Sequence, residues 1–226
     1  ALGSAQFGAL STASIAAFET NQFAALNTRQ VAGLSTDQVA AIETQDLRAM
    51  GTAALRALST AQIEALGSAQ IGALSTNQVA ALSTGQIAGL TTEDFSALSS
   101  AQIRALGSAQ IAALSTDQIA GMDSASVAGL STGQIGALTS AQLGALSTAN
   151  IAALETNQVA ALNTRQIAGL GTDQIAALET QDLRALNTGA LRALSTAQLE
   201  ALGSAQIGAL STGQIAALTT AQVSGL

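Results

Sequence analysis

The chain has no proline, cysteine, histidine, tryptophan or tyrosine, and all seven of its basic residues are arginine. These gaps exclude much chemistry. With no histidine or lysine to activate them, the many serines are not expected to act as nucleophiles of the usual kind. A phosphate-binding loop needs its lysine, and disulfides need cysteine, whose absence says little about compartment. Aromatic residues make up 2% of a chain that is 48% hydrophobic, so the apolar mass is alanine plus small aliphatic side chains, and any core must be thin and continuous. The net charge is −7 and the pI about 4.3, which opposes binding to phosphate backbones, where counterion release needs clustered cations. Nucleic acid is therefore not an expected partner. The mean hydropathy is +0.40, yet serine, threonine and glutamine interrupt every apolar run well short of the roughly 20 residues that span a bilayer. No membrane insertion is expected.

What is present is one phrase, Leu-Ser-Thr-x-Gln-Ile-Ala-Ala, repeated as 28 octads from Leu2 to Gly225 without insertion or deletion. The first position is leucine except at Phe18, Ile42, Met50 and Met122, the third is always serine or threonine, and the sixth is always isoleucine, valine, leucine or phenylalanine. Glutamine fills the fifth in 20 of the 28 octads. The whole chain, 1–226, reads as a single continuous array and as a fragment of a longer one.

Each octad carries the signals of a helix start. In Leu34-Ser35-Thr36-Asp37-Gln38-Val39-Ala40-Ala41, Ser35 and Gln38 form the S-x-x-Q capping box, while Leu34 and Val39 occupy the two positions of a hydrophobic staple. Acidic residues such as Asp37, Asp117 and Asp173 fall in the first turn, where the helix dipole favours them. Placing the N-cap at Thr36 would lose both box and staple, so Ser35 is the expected cap. The invariant third-position hydroxyl then needs another role, and bonding between adjacent octads is the expectation. Glycine at the end of some octads, as at Gly33, Gly89, Gly121 and Gly169, suits a left-handed C-terminal residue.

A continuous helix fails, because eight residues at about 100° each leave an offset of about 80° per octad and the leucine stripe would wind around the axis. A β-solenoid remains the alternative, although alanine, glutamine and glycine are poor strand formers. The expected fold is all-α: a solenoid of very short capped helices, one per octad, stabilised by stacking neighbours. A longer period is superimposed. The stretch from Glu19 to Thr60 recurs as Glu155 to Thr196, an offset of 136 residues or 17 octads, as duplication of a cassette would produce. Such cassettes return to one face only if a coil holds a fractional number of octads, such as 17/4, which favours a function independent of any single face.

The candidate chemistry is sparse. Carboxylates cluster as Glu43 with Asp46, Glu179 with Asp182, and Glu93 with Asp94, each in a first helical turn, which points to helix-end electrostatics rather than acid–base catalysis. No run supplies the convergent oxygens of a calcium loop. Arg48, Arg56, Arg184 and Arg192 are expected to form solvated ion pairs between neighbouring octads. Phe7, Phe18, Phe23 and Phe95 occupy core slots. No catalytic, cofactor-binding or metal-binding residue is expected, nor any cofactor or small-molecule substrate.

Runs such as Ala73 to Ala88, ALSTNQVAALSTGQIA, resemble the octapeptide arrays of very long bacterial secreted or surface proteins, often labelled as adhesion or heme-utilisation proteins. The resemblance covers the whole chain and implies an extracellular or cell-surface setting. It does not extend to heme ligands, for Met50 and Met122 are the only candidates. The stretch Leu34 to Ile42 also resembles the opening of the DNA-reading repeats of plant-pathogen effectors, but those repeats are far longer and basic. The expectation is a structural rod, stalk or filament segment of a large bacterial extracellular protein. It has no catalytic activity, and its partners are other copies of the array. The alternative is a solenoid that binds ice or carbohydrate through a regular Ser/Thr face.

Overall fold

The computed structural model describes residues 3–225. Every octad becomes one α-helix of five or six residues, giving 28 helices and no strand among the described residues, so the short-helix solenoid stands and the β alternative falls. Helices this short are not stable alone in water. They form because most are capped at their start, as at Ser35, and because they are packed along one side.

The N-cap is the second position of the octad. At Ser35 the backbone is extended (φ −75°, ψ 164°), the hydroxyl accepts from the Gln38 N–H at 3.2 Å, and the Gln38 Oε1 accepts from the Ser35 N–H at 2.7 Å. Where the cap is glycine and the fifth residue glutamine, only the return half survives, as in the 2.8 Å bond from the Gly171 N–H to Gln174 Oε1. Each helix is closed by a bond from the next first-position N–H to the sixth-position carbonyl, as from Ile42 to Val39 at 3.2 Å. The first-position residue then turns extended (φ −58°, ψ 144° at Leu74) and starts the next corner.

Among the described residues none, glycine included, has a positive φ, which corrects the expectation of left-handed octad ends. Gly169 ends its helix at φ −86°, ψ −8°, an ordinary right-handed conformation. The reason for glycine is close approach. A Cβ at Gly169 would lie 2.6 Å from Cβ of Ser140, and one at Gly89 would lie 2.5 Å from Cγ2 of Thr60.

The chain divides into two units, Ala1–Leu114 and Ser115–Leu226, each built in the same way. In the first, Ser4–Gly8 packs on Thr28–Ala32, which packs on Thr52–Arg56, then Thr76–Ala81, then Ser100–Ala105. In the second, Ser124–Ala128 packs on Thr148–Ala152, then Thr172–Ala176, then Thr196–Glu200, then Thr220–Ser224. Within each unit, a helix therefore meets the third one along. One coil holds three octads, not a fractional number, and each unit has three columns of stacked helices.

The core lies inside these columns. Sixth-position side chains are buried from Phe7 to Leu199, and first-position side chains from Leu34 to Leu210. The ends show which neighbour each needs. Leu10 and Phe18 in the first coil, and Leu26 at the corner that opens the second, are only half-buried, whereas Ile215 and Val223, with no coil after them, are exposed. First-position residues are covered by the preceding coil and sixth-position residues by the following one.

Candidate functional site

The feature with the most polar organisation is the seam of fifth-position side chains between coils. Gln158 illustrates it. Its Oε1 accepts from the Glu155 N–H at 2.7 Å, capping the start of its own helix. Its Nε2 donates to the carbonyls of Val127, Ala128 and Leu130 at 3.1, 3.1 and 2.6 Å, at the end of a helix in the preceding coil and the corner that follows. One amide thus satisfies orphan donors of one helix and orphan acceptors of another. The same offsets of 28 and 31 residues recur at Gln38, Gln78, Gln86, Gln166, Gln174, Gln198, Gln214 and Gln222, all buried. The capping box was legible in the sequence; the clamp between coils was not, since it depends on how many octads make a coil.

Octads that lack glutamine show what the third-position hydroxyl does. Thr20 Oγ1 donates to Asp46 Oδ1 at 2.6 Å, Ser68 Oγ to Asp94 Oδ1 at 2.9 Å, Ser124 Oγ to Asn150 Oδ1 at 2.9 Å, and Thr156 Oγ1 to Asp182 Oδ1 at 2.7 Å. Each bond spans 26 residues, so it joins successive coils rather than adjacent octads, which corrects the expected partner. Other third-position hydroxyls, such as those of Thr172, Thr180 and Thr188, lie on exposed residues.

The acidic clusters separate accordingly. Asp46, Asp94 and Asp182 are buried in the seam, while Glu43, Glu93 and Glu179 are exposed. Glu43 and Glu179 accept instead from Gln45 and Gln181 at 3.0 and 2.8 Å. Asp94 gains a second hydroxyl, that of Thr91, at 2.6 Å. Asp182 has less support: its Oδ2 is buried without a partner, and burial pushes its carboxyl above the usual range, with the Glu179 charge adding to the rise. Asp123, an N-cap in water, moves the other way, because the Ser126 hydroxyl and N–H both bond to its carboxylate.

Surface hollows are lined by Arg48 with Gly72, Ser75, Ala97 and Gln102, and by Glu200 with Leu199, Leu202, Ile207 and Gly225, so neither joins an acid to a base. Among the described residues no group of three or more Asp, Glu, His or Cys converges as metal ligands would. No helix among them is long and apolar enough to cross a membrane. Arg48, Arg56, Arg184 and Arg192 are exposed and make no ion pair among the described residues, contrary to the expected pairing; at the seventh position they project from the outer side of each coil. Met50 and Met122 are buried first-position core residues, as are Phe7, Phe23 and Phe95 at the sixth, and Phe18 is half-buried.

Comparison with known families finds the ALTTAQ repeat, whose family model matches residues 1–36, 39–76, 65–92, 90–124, 119–148, 151–180 and 175–212. No curated protein matches the chain.

Proposed function

The chain belongs to the ALTTAQ repeat family, and on that premise we propose that it is a non-catalytic structural array, a rod, stalk or filament segment of a large bacterial extracellular protein. The observation that carries the reading is the glutamine clamp: within each unit, buried amides tie one coil to the coil before it, as Gln158 ties to Leu130 at 2.6 Å. The specialised side chains are thus spent on holding coils together, and the exposed surface repeats without gathering reactive groups. Stability in such an array is the sum of each repeat and its nearest-neighbour contacts, so its length is set by its number of octads. The resemblance to arrays of secreted bacterial proteins supports the extracellular setting.

Scattering and electron microscopy on chains of increasing octad number test this reading. The longest dimension is expected to grow linearly with the number of three-octad coils, and surface labelling of cells is expected to detect the array outside. A dimension that stays constant as coils are added would contradict the structural role, and an array confined to the cytoplasm would contradict the setting.

A further inference from the structure

Asn150 and Asp182 both stand where most octads have glutamine, and they meet the preceding coil in the same way except at one atom. Each accepts a third-position hydroxyl on Oδ1 across 26 residues, from Ser124 at 2.9 Å and from Thr156 at 2.7 Å. The Nδ2 of Asn150 also donates to the Met122 carbonyl, 28 residues back, at 2.9 Å. The matching atom of Asp182, Oδ2, is buried without a partner on a residue only 1% exposed. The same offset places the Leu154 carbonyl opposite it, and that oxygen has no donor among the described residues. Two acceptors therefore face each other where Asn150 and Met122 make one direct hydrogen bond. Asp94 shows another solution. Its Oδ1 accepts from Ser68 at 2.9 Å and its Oδ2 from the N-cap hydroxyl of Thr91 at 2.6 Å, so an ionised carboxylate is satisfied there. The N-cap before Asp182 is Glu179, which offers no hydroxyl.

We propose that Asp182 is a pH-operated latch between coils: when solvent protonates Oδ2, the neutral carboxyl donates a hydrogen bond to the Leu154 carbonyl, as Asn150 does to Met122. Once the proton leaves, carboxylate and carbonyl repel, and this joint loosens. The surroundings favour the proton. Burial raises the Asp182 pKa, the Thr156 bond opposes the rise and the Glu179 charge adds to it. The helix of Asp182, Thr180–Ala185, packs on Thr156–Ala160 before it and Ser204–Ala209 after it, and neither holds a titratable side chain. The charged residues on or beside these helices are Glu155, Glu179 and Arg184, all exposed. With a raised folded pKa, the latch is closed below the unfolded value of about 4 and opens as pH rises through the folded one. The inference concerns one joint and holds wherever the array is displayed, so it stands or falls apart from the structural reading above.

Carbon-13 NMR of the aspartate-labelled 226-residue chain follows each carboxyl, and Asp182 is expected to titrate above about pH 4, the ordinary aspartate value. This reading needs no variant. Hydrogen exchange in peptides covering 180–186, corrected for its intrinsic pH dependence, then reports how often the joint opens. Asp182→Asn supplies a permanent donor to Leu154. Relative to it, opening in the unmodified chain is expected to be about tenfold or more commoner at about pH 7, and the two are expected to converge below about pH 4. Glu179→Thr recreates the Asp94 arrangement, whose cap hydroxyl satisfies an ionised carboxylate, so the Asp182 titration is expected to fall and opening at neutral pH to become rarer. Glu179→Ala removes the charge alone and is expected to keep most of the rise, since burial is its main cause. If Glu179→Thr fails to fold, Glu179→Ser replaces it. An Asp182 that titrates at or below about pH 4 would overturn the proposal. So would exchange at 180–186 that follows Asp182→Asn at every pH, or a Glu179→Thr chain in which Asp182 titrates as before.

Discussion

Thr156 donates a hydrogen bond to Asp182 across one coil, Oγ1 to Oδ1 at 2.7 Å, and leaves Oδ2 of the same carboxylate buried without a partner. Burial is the main cause of the raised Asp182 pKa, with the Glu179 charge adding to it and the Thr156 bond opposing it. A carboxyl that binds its proton more tightly when folded contributes full stability below the unfolded pKa of about 4, and this is lost as pH rises through the higher folded value. At neutral pH an ionised Asp182 is thus a weak point. Asp182→Asn is expected to raise the melting temperature at pH 7, with the gain shrinking towards pH 4. Asn150 shows that the amide fits, since it accepts from Ser124 Oγ and donates to the Met122 carbonyl, both at 2.9 Å. Thermal melts from about pH 3 to 8 read this out, and a lower melting temperature at pH 7 would contradict it. Asp123, whose pKa is lowered, has the opposite sign: its contribution is present above the unfolded value and lost as pH falls through the lower folded one.

Glutamine 166 separates capping from clamping. Its Oε1 accepts from the Asn163 N–H at 2.9 Å, and its Nε2 donates to the Ile135 and Leu138 carbonyls at 2.9 and 2.8 Å. Gln166→Glu keeps the acceptor, removes both donations and places a charge against carbonyl oxygens. The expected cost is about 2–4 kcal/mol, that of unsatisfied buried partners and an unpaired buried charge. Gln6→Glu, on an exposed side chain with no preceding coil, is expected to fall within about 0.5 kcal/mol of the parent. Urea midpoints compare them. Equal shifts would mean that the Nε2 contacts carry no energy.

Local physics was legible from the sequence, and coil-to-coil physics was not. Ser35 and Gln38 announce a helix start within four residues, and Leu34 and Val39 announce its buried side. The partner of the Gln38 amide lies 28 residues away at Leu10, and in an array of near-identical octads every spacing looks equally good. For the same reason Asp46 read as a helix-end charge, although it sits buried under Thr20 of the previous coil. Gly169 read as a left-handed stop because the alternative cause, crowding by Ser140 one coil back, cannot be seen along the chain.

Position within the array should matter as much as residue type. Ile119 is fully buried, whereas Ile215, in the same octad position, is 44% exposed for want of a following coil. Ile119→Asp is expected to cost several kcal/mol, the price of an unpaired carboxylate in an apolar core, and Ile215→Asp no more than about 1 kcal/mol, as for an exposed site. Ile119→Asp is also expected to exceed Gln118→Ala. The margin is smaller than a capping bond of about 1 kcal/mol would suggest, since Gln118 is buried too. Melting temperatures of the three variants rank them, and equal values for Ile119→Asp and Ile215→Asp would mean that the following coil does not cover the sixth position.

Deletions test whether the octad or the coil is the unit of folding. Removing 138–161, three octads, joins Ala137 to Leu162 and leaves every later helix on its own column. Removing 138–145, one octad, moves every later helix in the unit to the next column but keeps each N-cap, each sixth-position side chain and each clamping glutamine in phase. The octads differ little, so both deletions are expected to retain helical circular dichroism per residue and a cooperative melt. Removing 138–141 is different. It discards the Thr139 cap, whose hydroxyl accepts from the Gln142 N–H at 3.2 Å, and Ser140, whose hydroxyl donates to the Arg165 carbonyl at 2.9 Å. It also leaves Ala137 joined to Gln142 with no corner between them. A helix of this length that loses both its cap and the corner before it is expected not to form, so the coils on either side lose a column contact and a local drop in protection from hydrogen exchange is expected around it. Equal protection after the four-residue and the one-octad deletion would show that the octad phase is not what holds the coils together.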